Sequence, residues 1–241
     1  MMHADTALRR WTTFGVAILV AACGGGGSSD GVTAGIDRGG IVTATGSITG
    51  FGSVHVNGVH YVTTGATITL DDNPGSESEL RVGQVVRIEG RLDPDGINGT
   101  ATRVSFDDEV EGPVQSIDLA NSRMVVLGRT VQVSVQTSFD DGISPRSLEG
   151  VAVGDRIEVS GLVTTTGVVE ATRIERKTAQ SSVEVKGAIV SLDTNARIFT
   201  LGQLAVSYAS AQLDGFASGQ PANGDRVEVF GAVDANGVLV A

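Results

Sequence analysis

Short runs of alternating apolar and polar residues, separated by glycine turns, cover most of the chain. In the stretch VGDRIEVSG, which ends at Gly161, a Gly-Asp turn leads into apolar residues that alternate with charged ones. A period of two residues is typical of a strand with one buried face. The stretch recurs as RVGQVVRIEG, ending at Gly90, and as NGDRVEVFG, ending at Gly231. The pattern therefore predicts one β-rich unit that is repeated three times.

The turns that precede these strands define the repeat. Their glycines lie 71 and 70 residues apart. The signature residues are Gly83, Gly154, Asp155, Gly224 and Asp225. The run ATRV at Ala101 likewise matches ATRI at Ala171, and the last residue, Ala241, corresponds to Ala171. We therefore expect the third unit to lack the end of its last strand, either because the chain is a fragment or a truncated product or because that edge strand is short.

Each unit is predicted to fold from about six short strands, since several alternating runs with turn signals between them are typical of small all-β domains. Asn57-Gly58 lies between two such runs and is a strong hairpin signal. Leu127-Gly128 and Leu201-Gly202 are expected to form the equivalent turns. No stretch has helical periodicity, so we predict an all-β fold of tandem small barrels, OB-like in type, because closure removes exposed strand edges. A sandwich shared by neighbouring units is the alternative. The predicted boundaries are 41–109, 110–178 and 183–241.

The amino-terminal residues are expected to lie outside any folded unit. Arg9 and Arg10 precede an apolar run that is too short to span a membrane, and this run ends in LVAAC at Cys23. These features predict a signal peptide over residues 1–22. The LVAAC run resembles the bacterial lipobox, which implies that Cys23 carries the lipid anchor, palmitate included, and becomes the new amino terminus. The Gly/Ser-rich residues 23–40 then form a flexible tether.

Two further observations concern location and stability. In enterobacterial lipoproteins, an aspartate directly after the lipidated cysteine resembles a signal for retention in the inner membrane. Here that position is Gly24, so we expect the outer membrane, with the protein on the periplasmic face rather than the cell surface. Cys23 is the single cysteine of the chain. The exported part therefore has no internal disulfide and no thiolate metal site.

The unit as a whole resembles a known bacterial domain. Its pattern runs from an opening such as Gly46-Ser47-Ile48, through VGDRIEVSG, to EATRIE. It is similar to the domain of unknown function 5666, which occurs singly or in tandem in exported proteins and lipoproteins. The first unit departs from the pattern with Gln84 in place of the aspartate. The resemblance implies a fold and an exported location, and it brings no catalytic residues.

One pair of histidines is a candidate metal site. His55 and His60 flank the Asn57-Gly58 turn, so a two-residue hairpin makes them direct cross-strand neighbours. Two imidazoles can bind a divalent metal such as zinc or copper if further ligands, with Asp71 or Asp72 as candidates, complete the site. We prefer the alternative, a polar outer face on a hairpin whose inner face is Val54, Val56, Val59 and Tyr61. The equivalent positions are assigned to Val125 and Thr130 in the second unit and to Phe199 and Leu204 in the third.

Acidic loops are the second candidate. Carboxylates cluster at 71–79, 93–95 and 107–111 and offer oxygen ligands for calcium, although none has the EF-hand spacing. We interpret them as turns and solvated surface. The net charge of -11 and the aromatic content of 4% argue against nucleic acid as a partner.

The sequence thus predicts a lipid-anchored cell-envelope protein of tandem β-barrels that acts as a non-catalytic binding or spacer module without a cofactor. No nucleophile stands beside a base in a recognisable pattern, so we do not expect an enzyme. The expected partners are the membrane, through the lipid on Cys23, and an envelope protein or glycan. The alternative is a periplasmic metal- or small-ligand-binding lipoprotein that uses His55, His60 and the acidic loops.

Overall fold

The computed structural model describes residues 7–10, 40–178, 182–216 and 218–241. Cys23 and nearly all of the predicted tether lie outside these ranges, as does most of the predicted signal peptide. The helical elements of the described part are two single-turn 3-10 helices, Glu77–Glu79 and Leu148–Gly150. Within the same part, no helix has the length and apolar character needed to cross a membrane.

Strands form three successive groups. The amino-terminal strand is β1 (Ala7–Arg10). The first repeat contains β2 (Gly40–Phe51), β3 (Val54–Val56), β4 (Val59–Val62), β5 (Thr67–Leu70), β6 (Asn73–Pro74), β7 (Val85–Leu92) and β8 (Asn98–Phe106). The second contains β9 (Val110–Asp118), β10 (Arg123–Val126), β11 (Arg129–Gln132), β12 (Ser138–Phe139), β13 (Arg156–Val163) and β14 (Val169–Arg176). The third contains β15 (Val183–Ala188), β16 (Val190–Asp193), β17 (Ile198–Leu201), β18 (Leu204–Ser207), β19 (Gln212–Asp214), β20 (Arg226–Val233) and β21 (Leu239–Val240).

Each repeat closes into a small barrel, as the sequence predicts. In the first repeat the pairing runs β2-β3-β4-β8-β7 and returns to β2, with β4 parallel to β8 and the other neighbours antiparallel. The short strand β5 adds to the second half of β8 in parallel. Alternate residues of these strands point inward, so Ile48, Ile88 and Val104 are buried in one core. The all-β, OB-like prediction is confirmed.

The second and third repeats share a continuous sheet. Strand β9 pairs with β13 of its own barrel and, through Val110 and Glu111, with β15 of the next. The cores of these two barrels form one cluster of buried residues. The sheet of the first repeat is separate. The second and third repeats therefore form one unit with a shared sheet and core, and the first repeat is a separate barrel next to it.

Strand β1 completes the third barrel. In the second repeat Val159 pairs with Ile174, and in the third the equivalent Val229 pairs with Leu8. Leu8 is fully buried in the shared core. The expectation that the first residues lie outside any folded unit is therefore wrong for residues 7–10. A four-residue strand with a single apolar anchor is too short to produce a visible alternation in the sequence.

The hairpin of the third repeat differs from the prediction by one residue. Leu201 pairs with Leu204, so the turn is Gly202-Gln203 and not Leu201-Gly202. Gly202 has a φ of +58°, which glycine adopts without strain at the first position of such a turn. The positions equivalent to His55 and His60 are consequently Thr200 and Ala205, and the predicted pair Phe199 and Leu204 is buried.

Candidate functional site

The repeat signature has a structural role. Asp155 Oδ2 accepts a hydrogen bond from the backbone N–H of Ala152 at 2.8 Å, and Asp225 does the same for Ala222 at 2.9 Å. Gln84 replaces the aspartate in the first repeat and accepts the equivalent bond from Arg81 at 2.8 Å. The glycines before them, Gly83, Gly154 and Gly224, have φ values of +94°, +92° and +89°. These residues shape the turn before the fourth barrel strand, which explains why they recur.

The histidine pair has the predicted geometry. His55 pairs directly with His60, and their ring centroids are 4.7 Å apart. Both ring nitrogens of His60 have protein partners, since Nε2 lies 2.9 Å from the carbonyl oxygen of Gly52 and Nδ1 lies 3.4 Å from Oδ1 of Asn98. Among the described residues, the groups of three or more possible metal ligands consist of carboxylates. The metal site at the histidines stays a prediction.

Two of the three acidic loops, 71–79 and 107–111, converge at the point where the three repeats meet, whereas Asp95 bonds within its own turn. Asp71, from the β5–β6 turn of the first repeat, accepts a hydrogen bond from the backbone of Asp108 at 3.3 Å. One carboxylate oxygen each from Asp71, Asp108 and Glu184 lies within 4.8 Å of the others. Asp108 is 1% exposed, so this loop is not the solvated surface that the sequence predicts. We call these residues, with Asp107, Glu158, Lys186 and Glu228, the junction.

Lys186 is the cation at the centre of the junction. Its ammonium lies 2.8 Å from Oε1 of Glu228 and 3.0 Å from Oε1 of Glu184. It also donates a 2.5 Å hydrogen bond to the carbonyl oxygen of Asp108. Because a buried carboxylate is stable only with a partner, the lysine allows Glu184 and Glu228 of the third repeat to pack against Asp108, which lies between the first and second repeats.

The junction still carries more carboxylates than its lysine can neutralise. Burial, reinforced by the neighbouring Glu184, raises the pKa of Asp108 well above its usual value. Burial also raises the pKa of Asp107 to about 6 and the pKa of Glu158 to about 7, against the opposing effects of Lys186 and Lys177 respectively. For Glu228, the attraction of Lys186 and a hydrogen bond with Glu184 outweigh burial and lower the pKa. The junction therefore holds protons near neutral pH.

A second site, which the sequence analysis missed, is a cleft between the second and third repeats. Its volume is 440 Å³. Arg129 lines it and is 4% exposed, yet its Nε and Nη2 atoms have no hydrogen-bond partner within the described part of the chain. Burial lowers the pKa of this guanidinium. The same hairpin position holds Val59 in the first repeat and Leu204 in the third, so an arginine here is specific to the cleft.

Arg226 is the second arginine of the cleft. Its counterpart in the second repeat, Arg156, lies 2.7 Å from Glu111. In the third repeat the position of Glu111 is taken by Lys186, as the ladders Glu111–Glu158 and Lys186–Glu228 show. Nε of Arg226 correspondingly lacks a hydrogen-bond partner among the described residues. The lysine thus replaces the carboxylate that Arg156 has, and the buried Glu109 is the carboxylate whose charge attracts both Arg226 and Arg129.

The rest of the cleft is neutral. Its other described lining residues are glycines, threonines, small aliphatic residues and Gln203, and none is acidic. Gly187 leaves room for Arg129, since a Cβ there would lie 3.2 Å from Nη1. The protein has a net charge of -11, yet the two arginines share the single buried carboxylate of Glu109 and no carboxylate lines the cleft, so the arrangement favours an anion there. Alignment of the three hairpins in the sequence could have identified Arg129, because it is the charged residue at a position that is aliphatic in the other two repeats.

Comparison with known proteins agrees with the architecture. The model of one family, described as a domain of unknown function, matches residues 39–105, 111–175 and 178–241. These ranges correspond to the three barrels. No curated protein and no solved structure matches the chain.

Proposed function

Since this chain belongs to the family defined by the domain of unknown function DUF5666, which it carries three times in tandem, we propose that it is a non-catalytic binding module of the cell envelope. The ligand site is the cleft between the second and third repeats. Its ligand is a small anion with a carboxylate or phosphate group, of the kind that acidic envelope glycans present.

The observation that carries this proposal is the buried guanidinium of Arg129. Burying an arginine without a complete set of hydrogen-bond acceptors costs free energy that an apolar residue would save. Arg129 stands where the other repeats have Val59 and Leu204, so the barrel itself does not need an arginine. A carboxylate or phosphate in the cleft would pair with the guanidinium of Arg129 from the side of Nη1, which lies beside the cleft-lining Gly187, and these groups match the planar guanidinium. The cleft of 440 Å³ is within the usual range for small-molecule sites.

The binding test uses the unlipidated full-length chain with Cys23→Ala. Thermal unfolding is recorded with glucuronate, with inorganic phosphate and with glucose as the neutral match for glucuronate. We expect at least one anion to raise the melting temperature and glucose to have no effect, because a ligand that binds the native state stabilises it. Arg129→Leu should abolish the shift, whereas Arg146→Met, on an exposed ion pair with Asp141, should leave it intact. A shift that survives Arg129→Leu contradicts the proposed site. No shift with either anion would leave a spacer as the function of the repeats.

The anchor is tested separately in cells. The basic pair at Arg9, the apolar run and the LVAAC sequence at Cys23 support export and lipidation. We expect the native chain to fractionate with the outer membrane and the Cys23→Ala chain to leave the membrane fraction. If both fractionate alike, the lipid anchor on Cys23 is refuted, and the cleft is unaffected by that result.

A further inference from the structure

The third barrel contains a groove for a strand between β19 and β20. Strand β1 fills it, parallel to β19 and antiparallel to β20. In the second repeat the continuous strand β14 fills the equivalent place, antiparallel to β13 and parallel to β12. In the third repeat β21 takes the position of the first half of β14 and β1 takes that of the second half. Strand β1 thus fills, in the third barrel, the place that the second half of β14 fills in the second.

The apolar contact in the groove follows a rule of the repeat. Leu8 pairs with Val229, Ile174 with Val159 and Val104 with Ile88. All three inserted side chains, Val104, Ile174 and Leu8, are 0% exposed. The groove therefore selects an aliphatic side chain at this position.

A charged contact follows the same rule. Arg176 lies 2.9 Å from the signature aspartate Asp155, and Arg10, in the equivalent position, lies 3.1 Å from Asp225. Where the first repeat has Gln84 instead of the aspartate, its strand carries Phe106 instead of an arginine. The correspondence of the two positions in three repeats indicates that the aspartate recognises a basic residue two positions after the aliphatic anchor.

The middle position of the inserted strand also meets negative charge. Arg9 lies 3.5 Å from Asp214 of β19 and forms an ion pair with Asp72 of the first repeat. An extended segment with a basic residue here therefore contacts both the first and the third repeat. The backbone ladder supplies affinity and the side chains supply specificity, as in other cases of strand addition.

We propose that this groove is a strand-acceptor site for an extended peptide in which an aliphatic residue is followed by two basic residues. Residues 7–10 occupy it in cis. Removal of residues 1–22, which rests on the lipoprotein maturation proposed above, frees the groove for a segment of the same pattern in another protein. This site is distinct from the anion cleft and binds a different class of ligand.

The test uses the full-length chain and a fluorescent peptide with the sequence of residues 4–12. Leu8→Asp in the chain ejects the cis strand, because a carboxylate cannot replace a buried leucine. Leu8→Ile is the matched control, since the second repeat has isoleucine at this position. We expect fluorescence anisotropy to show peptide binding to the Leu8→Asp chain that is at least about tenfold tighter than to the Leu8→Ile chain, whose groove is occupied. A peptide that itself carries Leu8→Asp should bind at least about tenfold more weakly.

A second arm does not depend on that variant. A protease site inserted within residues 11–39 of the otherwise native chain allows the amino-terminal fragment to be cut free. Retention of the cut fragment through gel filtration, or its exchange for the labelled peptide, supports the site. Release of the fragment without peptide uptake overturns the proposal, as does equal binding of the native and the Leu8→Asp peptides. Formation of a dimer that excludes the peptide would identify a second copy as the occupant and would likewise overturn it. Since these measurements use purified protein, they are independent of where the protein resides in the cell.

Discussion

Replacement of Lys186 by methionine tests whether the junction is held together by one buried cation. The ammonium of Lys186 is 1% exposed and lies within 3.0 Å of Glu184 and Glu228. Methionine has a similar length and no charge. Removing one partner from a buried ionic network costs about 3–5 kcal/mol, because the remaining charges are left without compensation. We expect a loss of that size in the free energy of unfolding at pH 7.5.

The loss should depend on pH. Without Lys186 the variant has to bind about one more proton than the native protein when it folds, since Glu228 loses the cation that keeps it ionised. One additional proton corresponds to about 1.4 kcal/mol per pH unit above the pKa of the unfolded carboxyl. Between pH 7.5 and pH 5.0 the difference between variant and native protein should therefore shrink by about 3 kcal/mol.

Urea unfolding followed by circular dichroism measures both quantities. Arg146→Met is the control, because the Arg146–Asp141 pair is exposed, and its cost should stay below about 1 kcal/mol at both pH values. A Lys186→Met cost that matches this control, or one that is the same at pH 7.5 and pH 5.0, would refute the role assigned to the buried lysine.

The remaining predictions concern a buried arginine, a packed glycine and the titration of the native protein. Arg129→Leu should raise the free energy of unfolding by about 1–3 kcal/mol in the absence of ligand, because the equivalent position of the third repeat is a leucine, Leu204. A lower stability would show that the arginine has a structural role. Gly161→Ala should destabilise the second barrel by about 2–4 kcal/mol, since its Cβ would lie 2.5 Å from the carbonyl oxygen of Glu170, whereas Gly40→Ala, with no atom within 4 Å, should be neutral in the same denaturation assay. The stability of the native protein should increase by about 1–2 kcal/mol from pH 8 to pH 6. Glu158 and Asp107 have pKa values of about 7 and about 6 in the folded protein and lower values in the unfolded chain. Their contribution to stability is therefore complete below the unfolded pKa and is lost as the pH rises through the folded pKa. Glu158→Gln should flatten that profile, and an unchanged profile would contradict the assignment.

The barrels were predictable because their signals are local. Alternation and glycine turns act within ten residues, so the hairpin of His55 and His60 has the predicted partners and the inward-facing Val54. The hairpin error in the third repeat arose because a turn with glycine at its first position has the same spacing in the sequence as a leucine-glycine turn. The register is decided by burial of Leu201, which depends on the core.

The sites were not predictable because their residues are distant in sequence. The junction brings together Asp71 of the first repeat, Asp108 of the segment 107–109 and Lys186 of the third repeat. In the sequence, each of these residues stands in what looks like an ordinary turn or strand. An acidic loop has the same appearance in the sequence whether it lies on the surface or is buried between two barrels. Strand β1 is the extreme case, because residues 7–10 find their neighbours more than 200 positions away.

The shared position of β9 has a mechanical consequence. This strand is hydrogen-bonded to β13 of its own barrel and to β15 of the next, so the second and third repeats cannot be pulled apart without breaking a ladder. The first repeat has a separate sheet and is joined to the second by the short segment 107–109 and by side-chain contacts such as Arg173 with Val82. A force applied between the two ends of the array should therefore separate the first barrel from the other two before it breaks the ladder between β9 and β15, so the barrels that carry the cleft would stay together.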